Sequence, residues 1–406
     1  MTGISILGGY QSDFARNYTK EGRSIGDLVA EVVEATLARC GLGPDAVETI
    51  HFGNAFGQLY TGQGHLAAMP ASVVPGLWGK PAMAHEGACA SGSLAALAAM
   101  AELEAGRYDC ALVLGAEIER SLRGPEAAAV QAAAAHVGRE TEEPGRLWPA
   151  TFARIADAYE ARYGLDDRHL RALGRLNLEN AKRNPNAQTR AWKLGPESFS
   201  EDDAANPVVA GRLRRNDCCQ ITDGGAGIVL VSDRWLRAHP GHAARARITG
   251  WGHRTVALSL QSKLERPRSS PWVMPHVRAA IEDAYRRAGI AGAGDLDCVE
   301  THDCMTPSEY MAIDHLGITA PGESWKAIEE GAIARGGRIP VNPGGGLIGG
   351  GHPVGATGVR MLVDAAAQVA GEAAEMQVDG ARRAATLNIG GSTATTVSFV
   401  VERARG

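Results

Sequence analysis

One order of elements occurs twice along this chain. A helical stretch from Ile25 to Cys40 leads into Ala46-Val47-Glu48-Thr49, and a second, from about Met274 to Ala288, leads into Cys298-Val299-Glu300-Thr301. Downstream, Cys89-Ala90-Ser91-Gly92 opens an alanine-rich helix over Ser93 to Ala105, followed by a strand from Cys110 to Leu114. His352-Pro353-Val354-Gly355 opens a helix over Val359 to Ala370, followed by a strand from Ala384 to Ile389. Further strands are expected at Ile4 to Leu7 and Val47 to Phe52. This alternation predicts an α/β protein with buried sheets. Because the units agree in order at both ends, duplication is favoured over a chance likeness of two βαβ units. The expected halves are 1–120 plus about 221–244, with a return strand near 226–232, and 245–406.

Residues 121–220 form an insertion rich in Arg, Asn and Pro, with one clear helix from Phe152 to Arg162. Such an insertion covers or lines a binding site, or is a solvated cap. With 45% hydrophobic residues the chain has material for a core, which excludes a disordered protein. Forty-one basic against 46 acidic side chains give a net charge of -5, which argues against nucleic acid as a partner. Seven scattered cysteines are not a disulfide framework and indicate a reducing compartment. Met1 to Gly9 lacks the features of a signal peptide, Glu402 to Gly406 is not a peroxisomal address, and no run of about 18 apolar residues occurs. The expectation is a soluble cytoplasmic protein that does not enter a membrane.

Four segments carry residues suited to chemistry. Cys89 stands between small residues at the mouth of a helix, where free amides and the positive dipole end favour the reactive thiolate. A buried structural cysteine is the plain alternative. The glycine-rich run Asn342 to Gly346 and Gly350 to Gly358 holds His352 between glycine and proline. It lacks the lysine and hydroxyl of a phosphate-binding loop and the spacing of a dinucleotide fingerprint. If the halves pack about a pseudo-twofold axis, the His352 and Cys89 elbows face each other and set a base beside a thiol. In Thr301-His302-Asp303-Cys304-Met305, His302 and Cys304 have no partner CxxC or HxxxH, so no metal is expected, and proton transfer is the better use. In Asn388-Ile389-Gly390-Gly391-Ser392, glycine amides at a strand end suit a carbonyl oxygen, and a plain turn is the alternative.

Taken together, these strings resemble the thiolase superfamily, and within it the sterol-carrier-protein-type thiolases. The resemblance rests on the Cys89 elbow, the GHPVGATG string around His352 and the HDC string His302–Cys304, in the family's order. Asn177-Leu178-Glu179-Asn180-Ala181, Asn184 to Gln188, Asp217-Cys218-Cys219 and Asp223-Gly224 match that subfamily too. It implies a duplicated, five-layered αβαβα body whose 121–220 loop domain binds coenzyme A. It further implies that Cys89 carries the acyl group as a thioester and that His352 activates Cys89. His302 would help form an oxyanion hole, Cys304 would serve as the acid/base, and the amides of Cys89 and Gly390 would bind a second oxyanion.

Coenzyme A would be substrate and product, with no permanently bound cofactor and no metal. A homodimer or dimer of dimers is implied, and a small zinc-ribbon/OB-fold protein is a partner some relatives recruit. Two departures stand out. Asn388 replaces the cysteine of the usual CxG string, and Met305 replaces the phenylalanine after HDC. The implied reaction is thiolytic cleavage of a 3-ketoacyl-CoA or the reverse condensation. The alternatives are a CoA-ester-binding subunit without turnover and a retro-aldolase relative.

Overall fold

The computed structural model describes residues 3–140, 143–266 and 269–404. The terminal readings at Met1, Thr2, Arg405 and Gly406 lie outside these residues. Nine strands form the main sheet: β1 (Ile4–Gln11), β2 (Thr49–Gly53), β3 (Ala82–His85), β4 (Cys110–Glu117), β5 (Gly224–Ser232), β6 (Ala246–Thr255), β7 (Cys298–Thr301), β8 (Arg383–Gly390) and β9 (Thr395–Arg403). Their order across the sheet is β3-β2-β4-β5-β1-β6-β9-β8-β7.

Each half repeats one pairing scheme. β1 runs antiparallel to β5, β5 antiparallel to β4, and β4 parallel to β2. In the other half β6 runs antiparallel to β9, β9 antiparallel to β8, and β8 parallel to β7. Parallel pairing also continues outward in both, from β2 to β3 and from Val299 to a bridge at Val341. The halves join where β1 and β6 pair at Ile4↔Ile248, Ser5↔Arg247 and Ile6↔Ala246.

The helices make the other layers. α1 (Ile25–Cys40) is capped by a reciprocal Ser24–Asp27 pair and ended by Gly41 at φ 66°. Its buried Ile25, Leu28, Val29, Val32 and Val33 form the stripe that covers one half-sheet. α2 (Ser91–Glu104) and α7 (Thr357–Ala370) share one core cluster with strands of both halves, so they form the inner layer. Glycines allow their N-termini to meet. A Cβ on Gly92 would sit 2.9 Å from Gly355 O and from Val359 N, and one on Gly358 would fall on the Ser93 backbone nitrogen. On the far face of the second half lie α5 (Pro275–Ala288) and α6 (Thr306–His315).

The stretch between β4 and β5 is more helical than its sequence suggested. Besides α3 (Leu147–Tyr163) it carries a short helix, Gly124–Gln131, and α4 (Asp167–Ala181). α4 is amphipathic, and its buried face mixes Leu170, Leu173 and Leu178 with Arg171, Asn177 and Asn180. Among the described residues no helix is long and apolar enough to cross a membrane.

Candidate active site

The two elbows meet as the duplicated pattern predicts. Cys89 sits in the turn Ala88–Ala90 that enters α2, preceded by Ala88 in the left-handed region at φ 52°. A non-glycine residue pays for that conformation, by about 1 kcal/mol, only where the surroundings impose it. Here Gly87 N–H donates to Ser91 Oγ at 3.0 Å and Ala88 N–H to Glu86 Oε1 at 2.6 Å. The His352 loop is clamped by carboxylates from the end of β4 and the residues after it. Val354 N–H donates to Glu119 Oε1 at 2.8 Å and Gly355 N–H to Glu117 Oε2 at 3.1 Å. Asp303 ties the HDC segment to the glycine-rich loop, accepting from Leu347 N–H at 2.6 Å and Ile348 N–H at 3.0 Å.

As a result, one ligand atom each of Cys89, His302 and His352 lie within 4.8 Å of one another. The imidazoles stand nearly perpendicular, 84° apart with centroids 5.2 Å apart. Each Nε2 is buried without a hydrogen-bond partner among the described residues. His352 Nδ1 meets Thr357 Oγ1 at 2.7 Å, and His302 Nδ1 meets Asn388 Nδ2 at 3.3 Å. Cys304 and Met305 line the same cavity with Cys89 and His352. Its other walls include Phe56, Trp148, Phe152 and Val354. One sulfur and two imidazole nitrogens at this spacing also suit a zinc ion.

Burial pushes the Cys89 thiol up to about 12, although its own amide and that of Gly391 hydrogen-bond to the sulfur. This burial opposes the thiolate that the helix terminus favours, so a neighbouring base has to take the proton. Burial, then the Arg360 cation, lower His352 to about 3. Burial, His352 and Arg360 hold His302 well below its ordinary value. Arg360 is itself buried between Glu300 at 2.6 Å and Asp364 at 2.9 Å. Burial and the nearby Cys219 and Cys89 sulfurs raise Cys304 well above the usual thiol range. Alkylation of Cys89, followed on its own peptide by mass spectrometry, should accelerate about tenfold per pH unit across the neutral range with no plateau. A plateau near neutrality would indicate a resting thiolate.

Gly390 is the last residue of β8, opposite Thr395, and the amide that reaches the sulfur is that of Gly391. Sequence reasoning gave no role to Cys219, a third thiol in the cavity wall, whose N–H donates to Cys304 O at 2.8 Å. Its only signal was the Asp217-Cys218-Cys219 string. Thr357 and Ser93 were also missed, because their roles depend on partners that only the folded chain brings close.

Two family profiles match the chain: "Thiolase, N-terminal domain" over residues 4–234 and "Thiolase C-terminal domain-like" over 261–403. An acetyl-CoA acetyltransferase of Methanothermobacter thermautotrophicus is 29% identical over 405 residues, covering 99% of this chain and 100% of that protein. Sterol carrier protein 2 of Bos taurus is 28% identical over 393 residues, 93% of this chain and 68% of that protein. The solved Ltp2-ChsH2(DUF35) aldolase superposes with a TM-score of 0.77 at 22% identity, covering 99% of this chain and 98% of that one. The acetyl-CoA acetyltransferase from Syntrophomonas wolfei gives a TM-score of 0.71 at 17% identity over 100% of both chains. These two likenesses concern the fold.

Proposed function

The chain belongs to the thiolase family, and we propose that it transfers acyl groups between coenzyme A thioesters through a thioester on Cys89. The observation that carries this reading is the meeting of the Cys89 sulfur with two imidazoles, each with a buried Nε2 that has no hydrogen-bond partner among the described residues.

In the cleavage direction His352 Nε2 takes the Cys89 proton as the sulfur attacks the keto carbonyl of a 3-ketoacyl-CoA. The oxyanion is held by donors set before the reaction begins, and each is worth about 3–4 kcal/mol of barrier. For the Cys89 thioester we assign the amides of Cys89 and of Gly390, the latter at the end of β8 next to Gly391, whose own amide hydrogen-bonds to the sulfur. For the enolate oxygen of the departing acetyl-CoA the donor is His302. As the carbon–carbon bond breaks, Cys304 gives its proton to the enolate carbon, a task suited to a thiol that stays protonated at rest. Free coenzyme A then attacks the acyl-enzyme, its thiol proton passing to the Cys304 thiolate, while His352 returns its proton to the Cys89 sulfur as that sulfur leaves. Condensation is the same sequence reversed, and no step needs a bound cofactor or metal. Retention of activity in a chelator would support this reading over a metal centre.

The cavity beside Cys89 encloses only about 30 Å³, room for a water or a very small group. Trp148 helps close it, its Nε1–H fixed to Gln131 O at 3.1 Å. We therefore assign a short acyl group to it. Assayed with free coenzyme A, the protein should cleave acetoacetyl-CoA best and lose activity as the chain lengthens. Trp148→Ala should shift that preference toward longer chains by about tenfold. Absence of turnover on every length would favour a non-catalytic CoA-ester-binding subunit.

A symmetric homodimer completes the proposal. β3 ends the sheet with its outer side unpaired, and Met83 on it is 42% exposed, with Trp78 and Leu59 exposed as well. An apolar open edge is a template for strand pairing with a second copy. Light scattering at micromolar concentration should give twice the chain mass, and Met83→Lys should give a monomer.

A further inference from the structure

We infer that Asn388 and Thr357 lock the two active-site histidines in opposite tautomers, so that His302 offers Nε2–H as a donor while His352 offers a bare Nε2 as the base. The inference deepens the acyl-transfer reading and rests on it for its catalytic consequence.

A neutral imidazole carries a single N–H, and the partner of one nitrogen decides where that hydrogen sits. His302 Nδ1 lies 3.3 Å from Asn388 Nδ2, an amide nitrogen that only donates. Nδ1 therefore accepts, and the ring hydrogen is on Nε2. In this orientation the Ser93 Oγ–H donates to Asn388 Oδ1 at 2.8 Å, which leaves Nδ2 turned to His302. Asn388 is fully buried in β8, and Ser93 in the first turn of α2 is 1% exposed. Gly358 makes this approach feasible, because a Cβ there would lie 2.6 Å from Asn388 Oδ1.

His352 has the reverse arrangement. Its Nδ1 lies 2.7 Å from Thr357 Oγ1, and that hydroxyl donates its one hydrogen to Pro353 O at 3.0 Å. Thr357 must therefore accept from Nδ1–H, which leaves Nε2 bare. Both Nε2 atoms are buried without a partner among the described residues, and one nitrogen of each ring lies within 4.8 Å of the Cys89 sulfur, so matching tautomers would deprive the site either of its base or of its donor. Asn388 is thus a positioning residue that acts through His302, with Ser93 behind it.

Long-range proton–nitrogen spectra of full-length protein labelled with nitrogen-15 histidine read both tautomers directly, with His302→Gln and His352→Gln used for assignment. His302 should be protonated at Nε2 and His352 at Nδ1. A wild-type His302 protonated at Nδ1, or two histidines in the same tautomer, would overturn the inference. Asn388→Asp offers a carboxylate that only accepts. It should move the His302 hydrogen to Nδ1 and lower kcat about 100-fold, with KM within a few-fold. Ser93→Ala should lose part of both the wild-type spectrum and the rate. An unchanged tautomer and rate in Asn388→Asp would also count against it. If Asn388→Asp does not fold, the wild-type spectrum and Ser93→Ala still decide. The spectrum does not depend on turnover. Opposite tautomers in a protein without acyl transfer would therefore sink the functional reading alone.

Discussion

Cys89→Ala is expected to abolish the covalent acyl adduct and to lower kcat by about 10⁴-fold or more, with the protein still folded. The size follows from what the residue does. Without the sulfur no thioester forms, so the two-step route is closed, and the remaining donors have nothing to stabilise that resembles its transition state. A factor of 10⁴ corresponds to about 5.5 kcal/mol of barrier. Alanine matches Ala88 and Ala90 on either side and leaves the turn Ala88–Ala90 intact, so stability should hardly change. Incubation with acetyl-CoA followed by mass spectrometry of the intact protein reads the adduct directly. Cys304→Ala provides the contrast. It should retain the adduct and lose cleavage of the 3-ketoacyl-CoA, because acylation by acetyl-CoA breaks only a carbon–sulfur bond, whereas Cys304 protonates the carbon that leaves when a carbon–carbon bond breaks. An adduct that persists in Cys89→Ala, or one lost equally in both variants, would remove Cys89 from the role of nucleophile.

What could be read from the sequence divides along physical lines. α1 and β7 occupy the expected Ile25–Cys40 and Cys298–Thr301, because clean apolar spacing and local caps determine them. The repeated unit told where Cys89 and His352 would meet, since two copies of one element order pack in one way. The insertion was less legible. α4 has a periodic apolar face, but the role of its buried Asn177, whose amide donates to Asp303 Oδ2 at 2.9 Å, depends on a loop that only the folded chain brings close. Only one side of the Cys89 electrostatics is legible in the sequence, for a related reason. Its helix terminus is visible in the sequence, but the burial that opposes it arises from both halves. Ser93 and Asn388, 295 positions apart, become a pair only when α2 and β8 are side by side.

Gly358→Ala provides the largest expected effect on stability, and with a sign that helix propensity alone would get wrong. In an ordinary helix the change gains about 1 kcal/mol, since glycine loses more backbone freedom on folding. At Gly358 the new methyl group would fall on the backbone nitrogen and hydroxyl of Ser93 in α2, and 2.6 Å from Asn388 Oδ1. Backbone of a packed inner helix cannot swing aside as a surface side chain does, so α2 and α7 must separate, an overpacking cost of about 1–3 kcal/mol that exceeds the propensity gain. Gly124→Ala is the control, since that glycine also begins a helix but a Cβ there meets nothing within 4 Å. Thermal unfolding should show a lower midpoint for Gly358→Ala and an unchanged or higher one for Gly124→Ala. Activity should follow the same division, because Ser93 and Asn388 lie directly behind His302. If Gly358→Ala proved as stable and as active as the parent, the close meeting of the two inner helices, and with it the placement of the Cys89 and His352 elbows, would be wrong.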